Sequence, residues 1–117
     1  MEVVGAKMYI LLNMDLKMGK GKMCGQCGHA VAEWIRRLER KPSPEYQKWL
    51  EQGEPKIVLK ANEATLRKFC LSYPDLTYGV HDAGKTQIAA GSLTAVAFPP
   101  LSATSPAAVE LTMLKLL

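Results

Sequence analysis

Leu16-Lys17-Met18-Gly19-Lys20-Gly21-Lys22-Met23-Cys24-Gly25-Gln26-Cys27-Gly28-His29-Ala30 is where the chain changes its period. The first half alternates three lysines with small residues and predicts a short basic loop. Gly19 and Gly21 can take positive φ there and let a ligand close to the backbone. From Met23 the period becomes helical. Met23, Cys27, Val31, Trp34, Ile35 and Leu38 recur at i, i+4, i+8, i+11, i+12 and i+15, which predicts one buried stripe. Lys22, Gln26 and His29 fall on a different stripe. The loop therefore feeds a helix N-terminus whose free N–H groups and dipole favour an anion. A solvated basic turn is the plainer alternative.

The flanking segments supply a sheet. Upstream, Met8-Tyr9-Ile10-Leu11-Leu12 within Lys7 to Asn13 is a short apolar run, expected as a strand buried on both faces. Downstream, the long helix runs to about Arg40 and Pro42 stops it. Ser43-Pro44-Glu45 restarts a short helix, with Ser43 as N-cap, through Tyr46, Trp49 and Leu50 to Gly53. Lys56 to Lys60 predicts a second strand. Asn62 caps a helix through Leu66, Phe69 and Cys70 to about Tyr73. Leu76 to His81 and Ser92 to Phe98 are the third and fourth strands. Ser105-Pro106 opens a last short helix, and Met113 to Leu117 is an apolar tail able to extend as a strand. Strands alternating with helices indicate an α/β three-layer sandwich, with a sheet of about four strands and helices on both faces. The third and fourth strands are joined without a helix, so the sheet is expected to be mixed.

At 117 residues the chain fits one domain, residues 1–117. Its composition, 48% hydrophobic and 22% charged, is ordinary for a globular protein. The net charge of +4 suits a polyanionic partner without requiring one. Met1 to Lys7 shows no apolar core of a signal peptide, and no apolar run approaches the roughly 18 residues of a membrane span. A cytoplasmic protein with no membrane partner is expected, its three cysteines free thiols.

Lys22 is the strongest single candidate for chemistry. Dipole logic disfavours a cation at a helix start, so its placement suggests a bound anion or a partner carboxylate. Asp82 closes the third strand and opens Asp82-Ala83-Gly84-Lys85-Thr86, with Gln87 following. A carboxylate, a hydroxyl and an amide in one loop fit water activation or substrate positioning, although a turn aspartate bonding its own backbone is the commoner use. Cys24 and Cys27 form a Cys-x-x-Cys at a helix start, a place that can depress a thiol pKa. Cys27 also falls on the apolar stripe, where it would be an inert hydrophobe. His29, His81 and Cys70 complete no paired metal spacing, so no metal site and no cofactor is predicted. Gly19-Lys20-Gly21-Lys22 lacks the spacing of a nucleotide-hydrolysing phosphate loop.

The Asp15–Lys22 stretch, with Gln26-Cys27 and His29-Ala30, resembles the signature of the archaeal and eukaryotic class of peptidyl-tRNA hydrolases. Pro55 to Lys60, Asp82 to Ile88 with Gly91-Ser92, and Leu114 to Leu116 resemble later blocks of that family in the same order. The resemblance implies a mixed four-stranded α/β fold, commonly dimeric, and a metal-independent esterase. It implies Lys22, Asp82 and Thr86 as site residues, with Gln26 and His29 near them. Asn13 and Lys85 stand where the family usually has arginine, and Cys24 where it has alanine. Lysine is not an equivalent phosphate donor, so the departures bear on tRNA affinity more than on chemistry.

The expected activity is hydrolysis of the ester between peptide and terminal ribose in peptidyl-tRNA. Asp82 would orient or deprotonate water, Lys22 would stabilise the oxyanion, and Thr86 would hold the water or carbonyl. Lys17, Lys20 and Lys85 would meet phosphates, with Gln26, His29 and Gln87 on the substrate. A noncatalytic RNA- or protein-binding module on the same fold is the alternative, and a thiol-redox protein using Cys24 and Cys27 is a third.

Overall fold

The computed structural model describes residues 3–84 and 88–117. Strand β1 is Met8–Asn13, and all six of its residues are buried, because it lies inside the sheet with helices over both faces. A short 3-10 turn, Met14–Leu16, leads to α1, Lys20–Arg40. Helix α2 (Pro44–Glu51) starts as its sequence dictates: Ser43 Oγ accepts the Tyr46 N–H at 3.1 Å and Pro44 opens the helix. Strand β2 is Lys56–Ala61, and α3 is Glu63–Ser72, capped by Asn62. Strands β3 (Tyr78–His81) and β4 (Leu93–Ala97) follow, then α4 (Pro106–Leu111). The apolar tail adds a single antiparallel bridge, Leu116 to Leu59, outside β2.

The sheet order is β2-β1-β4-β3. β1 and β2 are parallel, while β4 is antiparallel to both β1 and β3. The sheet is thus mixed, as expected. Side chains alternate across it. Met8, Ile10, Leu12, Ala95 and Ala97 pack against Trp34 and Leu38 of α1 and Tyr46 and Trp49 of α2. Tyr9, Leu11, Leu59 and Val96 pack against Leu66 and Phe69 of α3 and Ala107, Ala108 and Leu111 of α4. Two cores, one per face, make the three-layer sandwich.

Two expectations about the basic stretch need correcting. Helix α1 begins at Lys20 rather than Met23, so Lys20, Gly21 and Lys22 are its first turn. Gly19 is extended at φ −70°, Gly21 is helical, and neither has positive φ. The buried face is also rotated. Gln26, Ala30, Trp34 and Leu38 are its buried residues, an i, i+4, i+8, i+12 row. Met23, Cys27, Val31 and Ile35 are only half-buried on its flank.

Candidate active site

β1 and β3 are each antiparallel to β4, so both end at the same side of the sheet. The start of α1 and the Asp82 segment meet there. Lys22 Nζ forms an ion pair and hydrogen bond with Asp82 Oδ1, joining residues 60 positions apart. The Lys22 side chain is 22% exposed and the Asp82 side chain is closed to solvent. A ligand arriving from solvent therefore meets the ammonium first and the carboxylate behind it.

Local backbone aims the carboxylate. Between Val80 and His81 the β3–β4 register slips, and Thr94 is the extra residue on β4. Its hydroxyl donates to the Val80 carbonyl at 3.0 Å. Such a bulge re-aims the residues beside it. Beyond it, the Asp82 N–H donates to the Ser92 carbonyl and the Gly91 N–H to the Asp82 carbonyl, both at 2.9 Å. Asp82 Oδ2 accepts the Gly84 N–H at 2.8 Å. Gly84 has φ +82°, and a Cβ there would lie 2.8 Å from that of Ala90, so only glycine fits. Asp82 thus uses one oxygen in the turn aspartates favour and the other on Lys22.

Helix α1 supplies more. Among the described residues no side chain caps its first turn, and that turn holds no acid. A Cβ added at Gly19 or Gly21 would meet nothing within 4 Å among the described residues, so there is room beside the first turn, whose N–H groups have no carbonyl of their own helix to bond. One turn beyond Lys22, Gln26 is only 6% exposed. Its Oε1 is buried with no hydrogen-bond partner among the described residues. An unmet buried polar atom costs about 1–3 kcal/mol, which a ligand donor would relieve. Periodicity placed Gln26 on a polar stripe and gave no hint of its burial.

The remaining candidates spread outward. Lys17 is exposed in a left-handed conformation (φ 51°) after the 3-10 turn, and Lys20 is exposed at the first helical position. His29 is exposed a further turn along α1 and makes no hydrogen bond among the described residues. Lys85, Thr86 and Gln87 lie outside the described residues. The cysteines do not form a reactive pair. Cys24 is exposed and Cys27 half-buried, both free. Burial, and then the neighbouring Cys24, push the Cys27 thiol up, the reverse of a redox thiol. Among the described residues no three His, Cys, Asp or Glu side chains converge to hold a metal. No helix among them is long and apolar enough to cross a membrane.

Asn13 and the Trp34–Arg37–Tyr78 cluster are features the sequence did not disclose. Asn13 is fully buried, and its Nδ2 donates to the Leu93 carbonyl (2.9 Å) and to Glu63 Oε1 (3.2 Å). Its Oδ1 accepts the Asp15 N–H (3.0 Å), while Asp15 Oδ2 accepts the Glu63 N–H (2.9 Å). This latch ties β1, β4 and α3 together beneath the site.

The family model described as peptidyl-tRNA hydrolase PTH2 matches residues 6–117. A peptidyl-tRNA hydrolase of Saccharolobus islandicus is 37% identical over 102 residues, covering 80% of this chain and 85% of the relative. The bovine protein named peptidyl-tRNA hydrolase 2, mitochondrial, is 39% identical over 98 residues, covering 80% of this chain and 55% of the relative. Its human counterpart is 37% identical with the same coverage.

Proposed function

The chain belongs to the peptidyl-tRNA hydrolase PTH2 family, and we propose that its Lys22 and Asp82 act as one unit on the ester of peptidyl-tRNA. The protein hydrolyses that ester, releasing free tRNA and peptide. The observation that carries the assignment of residues is the ion pair between Lys22, at the mouth of the site, and the occluded Asp82.

The chemistry follows from that layering. An ammonium has three N–H donors, and Asp82 occupies one. The others face the incoming carbonyl and stabilise the oxyanion as water adds to the carbonyl carbon. As the ammonium shifts toward that oxyanion, Oδ1 is released to accept a proton from the attacking water. The tetrahedral intermediate collapses, the bond from acyl carbon to ribose oxygen breaks, and the proton passes to that oxygen. An alkoxide on ribose is a far better leaving group than an amide nitrogen, so no covalent nucleophile is needed. Thr86 would hold the water or carbonyl, and Lys85 and Gln87 would add donors. Gln26 would accept an N–H of the peptide. Lys17 and Lys20 would meet phosphates beside the uncapped turn, and His29 would border the substrate.

The protein acts in the cytoplasm, on peptidyl-tRNA left by aborted translation, and as a homodimer. A groove of about 340 Å³ lined by Cys27, Val31, Ile35 and Val58 is an apolar surface that a second copy would cover. Light scattering reads the mass. The test of function is turnover of peptidyl-tRNA with a chelator present. Steady release of tRNA is the expected result. Activity lost to EDTA and restored by a divalent metal would overturn the proposed mechanism.

A further inference from the structure

Away from the Lys22–Asp82 pair, Arg37 is an exposed cation held by two aromatic rings and a carboxylate. Its guanidinium carbon lies 5.1 Å from the Trp34 ring centroid and 4.9 Å from that of Tyr78. Both rings are fixed to one residue of β4. Trp34 Nε1 donates to the Ala97 carbonyl at 2.9 Å, and Tyr78 pairs with Ala97 across the ladder. Arg37 Nε donates to Glu33 Oε2 at 2.9 Å, and Arg36 donates to the other oxygen at 2.8 Å. One carboxylate is thus shared by two guanidinium groups. Hydrogen bonds from Arg36, then Arg37, hold the Glu33 carboxyl below the usual carboxylate range, so it stays ionised. One cation remains in excess, and Arg40 and Lys41 stand exposed on the next turn. The helix dipole accounts for cations at a C-terminus but not for the aromatic clamp. The Arg37 side chain is still 44% exposed, and its Nη donors have no partner among the described residues.

We propose that Arg37, with Arg40, grips the phosphate backbone of the tRNA acceptor stem while the 3′ end lies at Lys22 and Asp82. The assignment rests on peptidyl-tRNA being the substrate. Helix α1 runs from Lys22, beside the end of β3, to Arg37, beside its start. The two backbones lie about four turns, roughly 22 Å, apart along the helix axis, while the stretch from Tyr78 to Asp82 beside their side chains spans only about 13 Å. β3 is an edge strand, so the path between the two points follows the open rim of the sheet. Stacked nucleotides advance about 3.4 Å each along a strand and further when extended. An unpaired 3′ tail of a few nucleotides therefore spans the distance and delivers the first paired phosphates to Arg37. A guanidinium held on two ring faces presents its fork already oriented, which suits a phosphate better than a free side chain does.

The test compares two substrates: intact peptidyl-tRNA, and a peptidyl-oligonucleotide carrying only the unpaired 3′ end. Arg37→Gln and Arg40→Gln should each raise KM severalfold for intact peptidyl-tRNA and leave kcat unchanged. Each should flatten the log–log salt slope by about 0.7–0.9. Neither should alter turnover of the short substrate. Arg67→Gln on α3 is the control and should change neither. Equal losses on both substrates would show that Arg37 only buttresses the fold and overturn the proposal, as would no change on either. Arg40 lies outside the aromatic clamp, so its variant decides the matter if Arg37→Gln melts early. Binding of deacylated tRNA is measured alongside. If the unaltered protein turned over neither substrate, the catalytic reading would fall. The salt slopes of deacylated-tRNA binding by the two variants would then still decide the grip.

Discussion

At Gln26 a single residue sets stability against binding. Its buried Oε1 meets no partner among the described residues, so the folded protein carries an unmet acceptor. Methionine has similar volume and no amide. Gln26→Met is expected to hold or raise the melting temperature, by the equivalent of about 1 kcal/mol, while KM for peptidyl-tRNA rises. Calorimetry and steady-state kinetics on one preparation check both. A lower melting temperature would show that the amide is satisfied and structural. Asn13 makes the opposite case. It is fully buried and all its polar atoms are used, with donors to Leu93 and Glu63 and an acceptor for Asp15. Asn13→Ala leaves the Leu93 carbonyl unmet and should cost roughly 2 kcal/mol in urea unfolding. Arginine, which the family resemblance leads one to expect at this position, would not fit the closed site as it stands.

At the scale of the element, α1 explains where the sequence was legible and where it was not. Its existence, its end near Arg40 and its basic start were all readable from period and charge. Its rotation was not. A hydrophobicity pattern scores Met23, Cys27 and Val31 above Gln26 and Ala30. The helix instead follows the strand beneath it, where Ala95 and Ala97 leave room for close approach and the Ala97 carbonyl fixes Trp34. The larger side chains are left on the flank toward β2, lining the open groove there. This rotation also carries Lys22, which shares the Gln26 row, onto the side facing Asp82. The uncapped first turn gives a prediction of its own. Gly19 is extended with free space around it, so Gly19→Asp should cap α1 and favour its dipole by a few tenths to about 1 kcal/mol. The same charge should repel phosphate and weaken tRNA binding. A rise in melting temperature without loss of affinity would remove the helix start from the tRNA site. The cysteines of the same helix should differ as well. Iodoacetamide at pH 8 should label exposed Cys24 well before Cys27, whose thiol burial pushes up. Cys24→Ala and Cys27→Ala should both keep most turnover.

At the scale of the whole molecule, the sheet brings the reacting groups together. The strands, their mixed sense and the two helical layers follow from the alternation of elements and from the turn without a helix between β3 and β4. The order β2-β1-β4-β3 did not, because nothing local says that β4 inserts between β1 and β3. Nor did the β3–β4 register slip leave a trace in the composition of Val80 to Asp82. Both matter, since they set Asp82 under Lys22 from 60 residues away. Lys22→Ala and Asp82→Asn should each lower turnover by about 10²–10³-fold, the range for one preorganised electrostatic group. Lys22 enters from a partly open position, so its truncation should shift melting little. Asp82→Asn keeps a side-chain oxygen for the Gly84 N–H and so preserves the turn. Because the lysine is held by the carboxylate and the carboxylate is released by the lysine, removing either disables both. The double variant should therefore be little slower than the slower single variant. A double-mutant cycle on purified protein with peptidyl-tRNA checks this. Losses that multiply would mean that each residue acts alone. Near-normal turnover in Asp82→Asn would withdraw the proton-accepting role and leave Lys22 as the group that stabilises the oxyanion.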